Sequence, residues 1–337
     1  MKSSKLRDST WIEGINSLRF VLALIVLLSH FENPVVKDLK SANHILYNLS
    51  ASVIEILFNG VAAVITFFII SGYVIHQSSK TRDISWKNFL VSRYLRILLP
   101  LIFIYFLGYK YNHPEKGILW SLICELVYYT LYPFFRKYKL NWRKLFTISF
   151  IISIVVIVIF GYHDILAFYK QTSLNYQGHY WQFGIFVTWI LGLPCWILGV
   201  LISEKGDIIM SVSKTKIIIY RLIIFTISIV LNYLTFHAHL SYLLYMNFFA
   251  FFLYKWIQNE IAYFRDHKPI LLLEKLGYTS YSMYILHPLC YTFLFQMLSL
   301  TFLNYLFAIF VCILLSILFY KLIERPSHIL SKNFKYF

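Results

Sequence analysis

Runs of about 20 apolar residues recur along this chain, each long enough to cross the roughly 30 Å hydrocarbon core of a bilayer. Few other folds are open to such a pattern, because backbone polar groups in lipid must satisfy one another within the segment. Of the 337 residues, 59% are hydrophobic and only 14% charged, which leaves almost nothing for a separate soluble domain. The fold class expected is therefore all-α: a polytopic membrane protein forming a single transmembrane domain over 1–337, with no appended soluble domain. Spans are predicted near 15–31, 52–77, 94–109, 117–135, 145–161, 184–203, 217–236, 239–257, 278–297 and 300–322, the third being the shortest.

Ten crossings put both termini on the same side, and the distribution of Lys and Arg says which side that is. Of the 31 basic residues, 23 fall in the segments that share a side with the N-terminus. Five, Lys37, Lys40, Lys110, Lys116 and Lys170, fall on the other, and Arg19, Arg221 and Lys255 lie within spans. Both termini are therefore expected to be cytoplasmic. The net charge of +16 follows from topology and anionic lipid headgroups, without nucleic acid as a partner. Lys2, Lys5 and Arg7 precede the first span as a signal peptide's basic region would. However, His30-Phe31-Glu32-Asn33-Pro34 offers no small-residue cleavage site and Arg19 interrupts the apolar stretch, so the span reads as a retained helix.

Ionisable groups inside membrane segments are where function is sought first. Arg19 and His30 share nearly one helical face eleven residues apart, Arg19 toward the cytoplasmic end and His30 toward the external end. A neutral imidazole can take a proton from a hydroxyl and return it, although a histidine at the headgroup boundary can also be satisfied by a neighbour. Arg93 and Arg96 form an R-x-x-R pair on one turn at the cytoplasmic start of the third span. Two guanidinium forks suit a phosphate-bearing ligand, while the plainer reading is a snorkelling anchor. Glu125 lies inside the fourth span and needs a partner or a proton. Ser280, Tyr284 and His287 form a polar stripe on the ninth, lining either a helix interface or a cavity. Glu324-Arg325-Pro326 reads as a helix stop with a screened surface ion pair.

Two external loops, 32–51 and 162–183, are long enough to contribute to a site. The second is rich in aromatic and hydrogen-bonding residues, including His179, Tyr180 and Trp181, which fits an interfacial belt or a platform for a sugar ring. Cys124, Cys195, Cys290 and Cys312 are scattered without C-x-x-C spacing, so they read as small core residues, with neither disulfides nor a metal site indicated.

Taken together these segments resemble the membrane-bound acyltransferase 3 family, which includes bacterial O-acetyltransferases of O-antigen, capsule and other exported glycans. Leu18-Arg19, Ala23 and His30 are similar to its opening L-R…A…H helix, and Phe67-Phe68-Ile69-Ile70-Ser71-Gly72-Tyr73 to its F-F-x-x-S-G-[FY] motif. Arg93-Tyr94-Leu95-Arg96-Ile97 with Pro100 resembles R-x-x-R-I…P. Trp120-Ser121-Leu122, Glu125, Tyr128-Tyr129 and Pro133 follow W-S-L-x-x-E-x-x-[FY]-Y…P. Gly277, Ser280-Tyr281-Ser282, Tyr284 and His287 resemble G…S-Y-S…Y…H, and Ile323-Glu324 with Pro326 the closing I-E-x-P. Any one fragment is weak; six in order along the whole chain are specific.

The resemblance implies a multi-pass enzyme of the bacterial inner (cytoplasmic) membrane, with acetyl-CoA or another acyl-CoA as cytoplasmic donor and no metal. The acceptor it implies is a glycan or lipid-linked glycan at the external side. It makes His30 the catalytic base or acyl relay, and Glu125 a second catalytic candidate. Arg93 and Arg96 become the donor's phosphate contacts, with Arg19 in the same polar network, and Ser71, Trp120, Tyr284 and His287 become substrate or cavity residues. One departure matters: where the family often carries G-V-D before the F-F motif, this chain has Ala63-Val64-Ile65-Thr66. A carboxylate partner for His30 would then be Glu32, Glu55 or Glu125, with Glu125 favoured, unless a hydroxyl or backbone carbonyl orients the ring. The rivals from other classes are a transporter or flippase of a lipid-linked glycan and a glycan polymerase. The paired repeats expected of the first are not evident, and the 162–183 loop has only Asp164 and Lys170 where the second would cluster charge.

Overall fold

A computed structural model describes residues 13–41, 45–81, 83–110, 116–205 and 211–334. It is 84% helical with no strands among the described residues, so the protein is an all-α polytopic membrane protein. Its helices are α1 (Ile15–His30), α2 (Pro34–Ser41), α3 (Ile45–Ile56), α4 (Gly60–Ser79), α5 (Trp86–Lys110), α6 (Lys116–Lys137), α7 (Trp142–Phe160) and α8 (Tyr162–Lys170). They are followed by α9 (Ile185–Lys205), α10 (Lys214–His237), α11 (Tyr242–Asp266), α12 (Leu271–Leu276), α13 (Ser280–Met297), α14 (Phe302–Phe319) and α15 (Arg325–Lys332). A helix stands at each of the ten predicted positions, and among the described residues eight segments are long and apolar enough to cross a bilayer. The helices at the other two positions, α11 and α13, carry polar residues that the bundle buries, among them Asn247 and Glu260 on α11 and Ser282 and His287 on α13.

Three boundaries differ from expectation, each for a physical reason. The predicted 52–77 span is broken at Asn59, whose side chain accepts the Ala62 N–H at 2.9 Å and starts α4 afresh. The third span, expected to be the shortest, is α5, with 25 residues. Its first turns hold Lys87, Asn88, Ser92, Arg93 and Arg96, and these polar groups mask its helical length. The 162–183 segment is partly helical (α8), and the rest is a built turn in which buried Asp164 accepts the N–H groups of Gln177 and Gly178.

The bundle is organised around α4 and α9, which cross closely because glycines leave room. A Cβ at Gly72 would strike the Trp196 carbonyl, and one at Gly199 the Ile69 carbonyl. Burial separates centre from rim: 67% of the apolar window of α9 is buried, against 17% in α7 and α10, whose Ile, Val and Phe side chains face outward as lipid requires. α1 packs against α4, α13 and α12. Its amino end is held by Glu274 of α12, which accepts from the Gly14 and Ser17 N–H groups (both 3.0 Å), Ser17 Oγ (2.8 Å) and Asn16 Nδ2 (3.0 Å). A carboxylate at a helix amino terminus meets unsatisfied N–H groups and a favourable dipole, and here it fixes the helix that carries Arg19 and His30. All four cysteines are buried and free, as their positions in apolar spans suggested.

Candidate active site

A cavity of about 230 Å³ opens between α1, α4, α5, α6, α13 and the α14–α15 junction. One part of its wall is cationic, formed by Arg19 of α1 with Arg93 and Arg96 of α5. The rest is largely apolar and aromatic, including Phe67, Phe68, Val64 and Leu122. Arg93 is 7% exposed, which is unlike a snorkelling anchor and fits a group held for a ligand or a neighbour. The R-x-x-R spacing puts both guanidinium groups on one side of α5, as the sequence suggested.

Two carboxylates face these three guanidinium groups. Glu125 Oε1 accepts from Ser71 Oγ at 2.7 Å and from the Tyr129 hydroxyl, and Trp196 Nε1 donates to Ser71 Oγ at 3.3 Å. Glu324 is 2% exposed; its Oε2 accepts from Ser282 N (3.1 Å) and Ser282 Oγ (2.5 Å), and its Oε1 lies 3.5 Å from His328 Nε2. This overturns the reading of Glu324-Arg325 as a screened surface pair. Arg325 is exposed, but Glu324 faces the cavity within electrostatic reach of Arg19 and Arg96. The cause is local: α14 ends in a π turn, Tyr320–Glu324, whose extra residue shifts the helical face before α15 begins.

His287 and His30 lie beyond the cavity, past Tyr284. Tyr284 of α13 lines the cavity and its hydroxyl meets Ser121 Oγ at 2.6 Å. Its ring centroid lies 6.4 Å from that of Phe67 and 6.0 Å from that of His287. His287 in turn lies 4.9 Å from His30, with the imidazoles tilted at 56°. The order is therefore cavity, Tyr284, His287, His30, surface: His287 is fully buried and His30 is exposed at the end of α1. Gly60 makes room for that end, since a Cβ there would collide with Ser29 and come within 3.8 Å of His30 Cε1.

Both imidazoles have their tautomers set by backbone. His30 Nδ1 lies 2.8 Å from the Val26 carbonyl and His287 Nδ1 lies 2.7 Å from the Tyr284 carbonyl. A carbonyl only accepts, so Nδ1 carries the proton and each neutral ring keeps its lone pair at Nε2. The second contact follows from the sequence His287-Pro288. Proline lacks an N–H, which frees the carbonyl four residues earlier, that of Tyr284, and the His287 ring takes it. The preference for Glu125 as the partner of His30 is thereby corrected: a backbone carbonyl orients the ring, while Glu125 is held by Ser71 and Tyr129. Glu32 accepts from Tyr291 at 3.3 Å instead.

Of the residues singled out in the sequence, Arg19, Ser71, Arg93, Arg96, Glu125 and Tyr284 line one cavity. His287 lies behind Tyr284. Trp120 is not in the wall; it is buried under the 162–183 segment, stacked on Trp181 at 5.4 Å, with His179 stacked on Trp181 at 4.9 Å. Ser280, which the polar stripe picked out, lines the cavity as well; so do Tyr129 and Tyr281, which the motifs placed without a role, Glu324, which the sequence read as a surface pair, and His328, which no sequence signal marked. Comparison with known proteins gives one match, to the family model of an acyltransferase domain, over residues 12–321. No curated protein and no solved structure matches the chain.

Proposed function

Because the chain belongs to the acyltransferase 3 family of membrane enzymes, we infer that it moves an acyl group, acetyl foremost, from acyl-CoA to a glycan hydroxyl. The acceptor in this reading is an exported polysaccharide or its lipid-linked precursor, and the protein crosses the inner membrane ten times with both termini cytoplasmic. The observation that carries the reading is the two-ended arrangement. Three guanidinium groups gather around one part of a cavity, and a pair of imidazoles with free Nε2 lone pairs lies beyond Tyr284 toward the opposite surface.

Each end suits one substrate. Arg93 and Arg96 offer planar forks to the donor's phosphates, and the cavity, about 230 Å³, has room for the pantetheine arm while the nucleotide stays at the mouth. Arg19 and Glu324 keep that region charge-balanced around the bound anion. His30, exposed and with Nδ1 committed to Val26, takes the proton of the incoming hydroxyl at Nε2. Membranes containing the protein, given acetyl-CoA labelled in the acetyl group, are expected to place base-labile label in their glycan fraction. Glycan that stays unlabelled while crossing the membrane would instead mark a flippase.

A further inference from the structure

The geometry points to His287 as the residue that carries the acyl group, with His30 acting as base in the second half of the reaction. The inference rests on the acyl-transfer reading and adds a covalent intermediate to it. His287 is 0% exposed, its Nδ1–H is given to the Tyr284 carbonyl, and its Nε2 is buried with no hydrogen-bond partner. A buried polar atom left without a partner costs free energy, and such atoms are few in folded proteins. Here the unpartnered atom is a nucleophilic lone pair one ring beyond a cavity-lining tyrosine and one ring short of the exposed His30.

Burial decides which imidazole carries and which deprotonates. An acylimidazole hydrolyses readily, so a carrier needs exclusion of water, which His287 has and His30 lacks. The base must meet a hydroxyl arriving from outside, which the exposed ring can do and the buried one cannot. In the first step His287 Nε2 attacks the thioester carbonyl carbon beside Tyr284. The C–S bond breaks, and the thiolate leaves with the electron pair and takes a proton from bulk water as CoA departs past the arginine end. The acylimidazolium keeps its Nδ1 proton on the Tyr284 carbonyl. In the second step the acceptor oxygen attacks the acyl carbon as its proton passes to His30 Nε2. The C–N bond breaks, its electron pair returns to His287 Nε2, and His30 releases its proton to water.

The test needs no acceptor. An acyl-enzyme exchanges labelled CoA into unlabelled acetyl-CoA, whereas direct transfer does not. Wild-type protein is expected to show exchange, His30→Gln to retain it while losing transfer to glycan, and His287→Gln to lose exchange by about 10³-fold. No exchange in a wild-type preparation that does acetylate glycan would overturn the intermediate, and exchange lost in His30→Gln but kept in His287→Gln would assign it to the other ring. Rapid quenching and proteolysis of wild-type protein after labelled acetyl-CoA gives a readout independent of how the variants fold. Label on the peptide bearing His287 supports the assignment, and label on the peptide bearing His30 refutes it. A wild-type protein that labels no glycan in membranes and shows no exchange would remove the acyl-transfer reading itself.

Discussion

The two ends of the site handle ionisable groups in an apolar bundle by opposite means. At the arginine end, charge is met with charge: three guanidinium groups share a wall with Glu125 and Glu324, and both acids are further held by hydroxyl donors. At the histidine end, among the described residues, no carboxylate is hydrogen-bonded to either ring, and each Nδ1 faces a helix carbonyl instead. A charge-balanced pocket favours an anion that can enter and displace its partners. A neutral imidazole pair favours proton and acyl transfer, since a lone pair is available without prior loss of a proton. Under the proposed function, donor binding and bond-making chemistry would be separated along α13 by little more than the ring of Tyr284.

Substitutions at the two ends should therefore fail differently. The largest effect is expected for His30→Ala, a loss of about 10³-fold in glycan acetylation with unchanged membrane insertion, measured by label incorporation. Retained activity would remove the ring from the chemistry. Next is Glu324→Ala, which strips the acid from between Ser282 and the arginines. It should lower stability by about 3 kcal/mol, read as thermal unfolding in detergent. Glu324→Gln, which keeps an acceptor for Ser282, should cost less. Arg93→Ala or Arg96→Ala should raise the acetyl-CoA KM about 10-fold with kcat little changed, and lysine should restore only part of it. A fall in kcat at constant KM would blur the division between the ends. The smallest change is expected at Glu274→Ala, which uncaps α1 for about 1 kcal/mol and leaves donor KM unaltered.

Much of this was legible in the sequence because lipid makes polar groups conspicuous. Arg19, Arg93, Arg96, Glu125, Tyr284 and His287 stood out for their cost in an apolar run, and the structure brings five of the six into one wall with His287 behind it. What stayed hidden depends on register and on pairing across the bundle. Glu324 sits where a helix ends at the surface in sequence terms, and only the π turn before it directs the carboxylate inward. His30 lacked its expected acidic partner, and no pattern said that a carbonyl would serve. The His287-Pro288 step did carry that information for the second ring, since a proline past the first turn of a helix frees the carbonyl four residues earlier. Trp120 looked like a cavity residue from its neighbours Ser121 and Leu122, but one residue along a helix turns the side chain by about 100°, toward Trp181.

The central claim is that donor and acceptor are served from opposite ends of one path, and sealed vesicles of known sidedness test it most directly. Labelled acetyl-CoA, which does not cross lipid, is supplied to inside-out and right-side-out vesicles holding the protein and its glycan. The account predicts incorporation in the inside-out vesicles, where the basic arginine end faces the donor, and loss of it in Arg93→Ala/Arg96→Ala. Equal labelling of both preparations, or labelling only of the right-side-out ones, would contradict it.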